Sequence, residues 1–271
     1  MTTIAEILAK MESQHGVKAE RLSAEEYAQR KIDFYNNSVG NLNEYDGYDC
    51  PLCKNRGYFA KIVDGYEVHA QCRCQITRAT LRRAMRSGLG DILRDYTFAK
   101  YEAKESWQTK IKNAAQAFCK DDEANWFFIG GQVGCGKTHI CTAIAAHYIK
   151  AGKETRYMLW SEESKKLKAM VNDISYQDMI EIYKTVEVLY IDDFLKVKSG
   201  ESPTAADINL AFEIINHRLL ENKVTIISSE KTLDDLIEYD EATMSRIFQK
   251  TGVYKFNIGK DRQKNYRLRG L

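Results

Sequence analysis

The chain has 271 residues, 44% hydrophobic and 29% charged, enough for one large core or a medium core beside a small one. A formal net charge of +2 excludes a globally basic nucleic-acid binder, so any such surface must be local. The opening MTTIAEILAKMESQH carries Glu6 and Glu12 and reads as no signal peptide. No apolar run is long enough to span a bilayer, so a cytoplasmic location is expected, with the seven cysteines as metal ligands or buried thiols rather than disulfides.

Residues 1–45 are polar and helix-favouring, with Leu8, Met11, Leu22 and Tyr27 as scattered apolar anchors. Residues 46–76 are rich in turns and hold two close cysteine pairs, Cys50-Pro-Leu-Cys53 and Cys72-Arg-Cys74. Such pairs can bring four thiolates around one tetrahedral zinc ion. The second pair has a single spacer residue, which makes His69 an alternative ligand in place of Cys72 or Cys74. Between the pairs, GYFAKIVDGYEVHAQ reads as a β-hairpin turning at Asp64-Gly65. Residues 77–88 read as an arginine-rich helix stopped at Ser87-Gly88. At helical spacing Arg78, Arg82 and Arg86 share a face, with Arg83 beside them and no acid among them. That face suits a phosphate backbone, an acidic partner or plain solvent.

From about Asp91 the pattern becomes strand–helix alternation. Apolar, β-prone runs occur at 126–129, 155–160, 186–191, 224–228 and 253–258, with helical patterns between them. This predicts an α/β fold with a parallel sheet flanked by helices. The first run leads into Gly131-Gln132-Val133-Gly134-Cys135-Gly136-Lys137-Thr138-His139, and a helical pattern follows. Glycines let successive backbone N–H groups turn toward a phosphate chain, and the helix N-terminus adds its positive dipole end. Lys137 can reach the β- and γ-phosphates of ATP, and the Thr138 hydroxyl can ligate Mg²⁺. The run Val186-Glu-Val-Leu-Tyr-Ile-Asp192-Asp193 ends in paired carboxylates. Asp192 suits the magnesium shell, and Asp193 suits orienting or deprotonating an attacking water. Cys119 and Cys141 read as core thiols, and Cys135 offers the loop only its backbone N–H.

Together GQVGCGKTH, VEVLYIDDF, VTIISSEKT, TMSRIF and the tail GKDRQKNYRLRGL resemble the AAA+ ATPases of the DnaC/DnaI helicase-loader group, relatives of the IstB transposition ATPases. The resemblance implies a P-loop AAA+ domain over 89–271 and a small helical, zinc-binding module over 1–88 that docks the helicase. It places sensor 1 in Ser228-Ser229-Glu230, where a polar amide is usual. Ser229 is expected to take that role in place of the glutamate. It makes Arg246 the arginine finger and puts sensor 2 in the tail, with Arg267 preferred to Arg262. It also implies a DNA-facing helix at Ser161-Glu-Glu-Ser-Lys165-Lys166-Leu-Lys168. Asp193 is shorter than the usual glutamate, so slow hydrolysis is expected, stimulated by single-stranded DNA or by assembly. The implied activity is ATP-dependent loading of a hexameric replicative helicase onto single-stranded DNA, with self-association through the AAA+ domain and no membrane. Rival readings are an IstB-type transposition regulator on duplex DNA, a small-metabolite kinase, and a zinc-ribbon nucleic-acid binder whose ATP site does not turn over. The kinase lacks a clear lid or substrate-pocket motif.

Overall fold

The computed structural model describes Glu6, Ser13, residues 22–198 and residues 200–268. The expected anchors Leu8 and Met11, and Arg269 of the tail, lie outside these residues. The chain divides into two compact units, 1–78 and 79–271.

In the first unit, helix α1 (Ala24–Asn37) starts at a reciprocal cap. The Ser23 hydroxyl accepts from Glu26 N, and the Glu26 carboxylate accepts from Ser23 N. A short α2 (Leu42–Asp46) stops at Gly47 in the left-handed region. Strands β1 (Tyr58–Val63) and β2 (Tyr66–Gln71) pair antiparallel. The turn between them puts both Asp64 (φ 52°) and Gly65 (φ 81°) at positive φ, as a two-residue turn matched to strand twist requires. The Asn36 amide continues the ladder, donating to Ala60 O at 2.8 Å and accepting from Ala60 N at 3.0 Å. Helix α3 (Cys74–Ser87) follows, and the division between the units falls inside it, after Arg78.

The second unit continues with α4 (Ile92–Asp95), α5 (Ser106–Phe118), β3 (Trp126–Gly131), α6 (Lys137–Lys150), β4 (Thr155–Leu159), α7 (Trp160–Ala169) and α8 (Tyr176–Thr185). Then come β5 (Val188–Asp192), α9 (Ala205–Leu220), β6 (Val224–Ser229), α10 (Leu233–Ile237), α11 (Glu241–Thr251) and β7 (Lys255–Ile258). The five strands lie in the order β4-β5-β6-β3-β7, every pair parallel. Parallel strands need helical crossovers, and these cover both faces. Side chains alternate across the sheet accordingly. Trp126 and Phe128 enter a core with Trp160, Ile180, Ile214 and Ile247, while Phe127 and Ile129 enter another with Phe118, Ile140 and Ile144. This explains why the strands read as continuous apolar runs. The order sets the C-terminal ends of β5, β6 and β3 side by side, where an open α/β sheet binds its ligand.

One buried cation holds a corner of this unit. Arg218 of α9 is fully buried. Its guanidinium donates to the carbonyls of Tyr183 (2.9 Å), Lys184 (3.2 Å), Val186 (2.9 Å) and Val224 (2.6 Å), and to the Thr225 hydroxyl (3.0 Å). It thus ties the carbonyl end of α8, where a cation is favoured by the helix dipole, to the start of β6. Arg218→Leu is expected to lower the unfolding free energy by about 3 kcal/mol, since several carbonyls lose a charged donor. Urea unfolding followed by tryptophan fluorescence checks this, and an unshifted midpoint would show that solvent replaces the guanidinium.

Candidate functional site

The turn from β3 into α6 is shaped by two constraints. A Cβ on Gly131 (φ 105°) would lie 2.0 Å from Ile258 O, and one on Gly134 (φ 74°) would lie 2.0 Å from Asn265 Oδ1. The second contact belongs to the tail, which is laid along the loop. Asp261 N donates to the Gln132 side chain at 2.9 Å, and Tyr266 N donates to Gly134 O at 3.0 Å. Lys137 is buried, its ammonium folded back onto Gly131 O (2.9 Å) and Gln132 O (2.7 Å). A phosphate chain in the loop would offer that ammonium charged acceptors in place of neutral carbonyls.

Asp192 ends β5 directly opposite. Its carboxylate lies 3.3 Å from the Thr138 hydroxyl. It also accepts from the Tyr157 hydroxyl of β4 at 3.1 Å, from the Ser228 hydroxyl of β6, and from Asp193 N at 3.2 Å. Burial and the adjacent Asp192 charge push the Tyr157 phenol above its ordinary range, so it stays a donor. The hydroxyl of Thr138 and the fixed carboxylate of Asp192 form a hard oxygen pair at a helix N-terminus, which fits Mg²⁺. Asp193, one residue on at φ 53°, pairs with Lys196 at 2.8 Å, and Lys196 pairs with Glu230 at 2.8 Å.

Val133, Gly134, Gly136, Lys137, Thr138, His139, Asp193 and Arg267 line one cleft of about 280 Å³, together with Tyr96, Lys196 and Glu230. Gly131 and Gln132 line an adjoining cleft with Arg262, which also reaches Glu230. The Cys135 side chain is buried in the core. The His139 ring turns from the loop, stacks on Tyr96 with centroids 4.9 Å apart and lies 2.8 Å from Thr97 O. Burial lowers its pKa, so the neutral ring donates Nε2–H to that carbonyl.

Two expectations are corrected here. The Ser229 hydroxyl does not reach the cleft; it is buried, donating to Phe194 O (2.9 Å) and accepting from Lys231 N (3.2 Å). Glu230 faces the cleft instead, because side chains alternate at the end of β6. Nor does Arg78 share an exposed face with Arg82 and Arg86. It is fully buried, donating to Asp46 and, at 3.0 Å, to Asn55. Arg83 and Arg86 are engaged with Ile149 O (3.3 Å) and Glu154 (2.8 Å). On α7, Lys166 pairs with Glu163 at 2.7 Å and Lys168 with Asp207 at 2.5 Å. Arg246, on α11, stands outside the cleft. Its guanidinium lies over the Phe212 ring at 5.3 Å and its Nη1 is buried with no hydrogen-bond partner among the described residues.

The first unit gathers Cys50, Cys53, Cys72 and Cys74, all buried, with their sulfurs within 4.8 Å of one another. Cys50 and Cys72 lie 3.8 Å apart, and Cys53 and Cys74 lie 3.6 Å apart. Zinc–sulfur bonds of about 2.3 Å in a tetrahedron put sulfurs roughly 3.8 Å apart, so the set fits zinc. Cys53 Sγ accepts from Gly57 N at 3.2 Å. Burial pushes the Cys74 thiol up to about 12, so without a cation the four cannot all ionise. His69 is not part of the cluster. It is exposed on β2, 3.1 Å from Glu67 and edge-on to Tyr35. Asn55 buttresses the site, accepting from both Cys50 N (2.8 Å) and Arg78.

Tyr157, Lys196 and Asn55 carry no site signal in the sequence, and Ser228 belongs to the sensor-1 run, where Ser229 is the residue expected to act. Tyr157 and Ser228 meet Asp192 across neighbouring strands, Lys196 joins nearby Asp193 to distant Glu230, and Asn55 joins nearby Cys50 to distant Arg78.

A family model described as IstB-like ATP binding protein matches residues 69–262. The phage-like element PBSX protein XkdC of Bacillus subtilis (strain 168) is 30% identical over 238 residues, which cover 83% of this chain and 88% of that protein. The crystal structure of the DnaC helicase loader shares the fold with a TM-score of 0.54 and 19% identity, over 64% of this chain and all (100%) of that one. The crystal structure of DnaI does so with a TM-score of 0.52 and 21% identity, over 62% of this chain and 92% of that one.

Tyr157→Phe removes one of the donors that aim Asp192. The Mg²⁺-dependent part of ATP binding is expected to weaken about tenfold, with binding in excess chelator unchanged. Calorimetry across a Mg²⁺ series checks this; equal loss with and without the metal would make Tyr157 a packing residue only.

Proposed function

The chain belongs to the IstB-like ATP-binding proteins, and from that footing we propose that it is a Mg²⁺-dependent ATPase that loads a replicative DNA helicase onto single-stranded DNA. The observation that carries the ATPase reading is the convergence of Lys137, Thr138 and Asp193 on one cleft, with Asp192 seated against the Thr138 hydroxyl. The fold shared with the DnaC loader and DnaI supports the loading role, as does a separate cysteine unit that exposes Tyr27, Phe34 and Tyr45 for a partner. No helix among the described residues is long and apolar enough to cross a membrane, and the proposed work is cytoplasmic.

The loop N–H groups and Lys137 hold the phosphates. Thr138 and Asp192 would hold Mg²⁺, which neutralises charge on the β- and γ-phosphates. Asp193 orients the attacking water and accepts its proton as the oxygen bonds to the γ-phosphorus. The β–γ bridging bond breaks, and its electron pair leaves on ADP. Arg267 lines the cleft and would face the same phosphates. Arg246 lies outside its own cleft with an unpartnered nitrogen, which suits supply to a neighbouring subunit. Assembly then switches the grip on DNA and helicase. Zinc in the four thiolates would give the small N-terminal unit much of its folding energy.

The resemblance to the IstB transposition ATPases carries one second reading, a transposition regulator acting on duplex DNA. Co-purification with a hexameric helicase, and ATP turnover stimulated by single-stranded rather than duplex DNA, supports loading; the reverse pattern supports the regulator.

Arg246→Ala is expected to keep ATP affinity while turnover under assembling conditions falls by ~10³, the scale of an arginine finger. Mixing it with Lys137→Ala, which cannot bind ATP tightly, should recover part of the rate, because one mixed interface pairs an intact loop with an intact arginine. Parental turnover in Arg246→Ala would remove the intersubunit mechanism. Elemental analysis of metal-replete protein should find one zinc per chain. Cys50→Ser should melt the first unit while leaving ATP binding in place. A metal-free protein with the same thermal profile would reduce the cluster to four buried thiols.

A further inference from the structure

The nucleotide cleft contains a second ammonium besides Lys137. Lys196 lies 2.8 Å from Asp193 Oδ2 and 2.8 Å from Glu230 Oε1, joining the end of β5 to the end of β6. All three side chains line the cleft with Lys137 and Thr138. Burial pulls the Lys196 ammonium's pKa down, but its bonds to Asp193 and Glu230 outweigh that and hold it above the ordinary lysine range.

The segment that presents Lys196 is strained and anchored. Asp193 and Leu195 both stand at φ 53°, a left-handed conformation unusual outside glycine and asparagine. Between them Phe194 is clamped to β6, donating its N–H to Ser228 O at 2.8 Å and accepting at its carbonyl from Ser229 Oγ at 2.9 Å. The Phe194 and Leu195 side chains are buried. Lys196 N closes the turn on Asp193 O at 3.0 Å. The backbone is therefore fixed, while the lysine side chain, about a third exposed, keeps its freedom to exchange acceptors.

The electrostatics define what would take it. Glu230 and Asp193 put two carboxylates beside the phosphate loop, and alone they would repel a γ-phosphate. Lys196 pairs with both and cancels one of their two charges. A terminal phosphate carries more charge than either carboxylate and offers three oxygens. A diphosphate ends one phosphate short and leaves the ammonium on Asp193.

We propose, resting on the ATPase reading above, that Lys196 is the group in this chain that distinguishes nucleoside triphosphate from diphosphate. With the cleft empty or holding ADP, Lys196 occupies Asp193 and keeps that carboxylate from a water. With ATP, the ammonium transfers to a γ-phosphate oxygen while Glu230 retains its other side, and Asp193 Oδ2 is released to accept the proton. The pair Glu230–Lys196 thus replaces the polar amide usual at this place, and the glutamate at the end of β6 is the lysine's tether.

The test measures ADP, ATP and β,γ-methylene ATP affinity with Mg²⁺ by calorimetry, plus steady-state turnover, on the full chain. Lys196→Met should leave ADP affinity within about twofold, weaken both triphosphates at least about tenfold and lower turnover, the loss expected for one charge-assisted contact. Lys196→Arg, which keeps the charge and reach, should restore most of the triphosphate preference; a purely packing role would not be rescued in this way. If Lys196→Met keeps the parental preference and rate, or if methionine and arginine lose triphosphate and diphosphate binding alike, the proposal is overturned while the ATPase reading stands. If the parental chain binds neither nucleotide, the ATPase reading itself falls, and the role of Lys196 with it.

Discussion

The carboxylate of Asp192 is the point on which the site depends. It receives hydroxyls from β4 and β6 and faces the first turn of α6, so three strands and the phosphate-loop helix are held in one register. A buried carboxylate is stable only when its oxygens are satisfied, and Tyr157 and Ser228 do this without neutralising the charge. The charge thus stays available for a cation, and the geometry is set before any ligand arrives. That preorganisation is the main means by which phosphoryl-transfer sites work, since they supply position and charge rather than covalent chemistry.

The sheet order makes that point possible. Only with β5, β6 and β3 adjacent do Asp192, Ser228 and the loop come within hydrogen-bonding reach. The order in turn requires β3 to be buried on both faces, which its run of Trp126, Phe127, Phe128 and Ile129 satisfies. Arg218 acts in the same direction from the opposite end of the sheet, replacing solvent for carbonyls where α8 ends and β6 begins.

The first unit is built on a different economy of forces. Its buried apolar residues among those described are few, chiefly Ile32 and Ala60 beside the four cysteines. The Arg78–Asp46 pair is buried below the cluster, and Asn55 joins that pair to the Cys50 backbone. With so small a core, a tetrahedral metal on the four sulfurs would add the cohesion that apolar burial does not supply. An arginine that the charge pattern offers to solvent is spent on the interior, because a carboxylate from α2 meets it there.

By itself, the sequence determined the features that rest on local chemistry. The glycine pattern marked a tight loop between strand and helix, the apolar runs marked strands buried on two faces, Asp64-Gly65 marked the hairpin turn, and the cysteine spacing marked four thiols that meet in one cluster. Each depends on a few neighbouring residues and on backbone rules that hold in any fold. The tertiary structure decided which long side chains are free and which are engaged. Arginines at 78, 82 and 86 have helical spacing, but only the packing of Asp46 beneath the helix shows that the first is buried. Serine and glutamate at 229 and 230 are both polar enough to line a cleft, and the alternation at the end of β6, with Phe194 O taking the serine, settles that the glutamate does. Lys196 carries no motif at all. Its place in the cleft comes from a left-handed turn clamped to another strand, a long-range contact that no local pattern encodes.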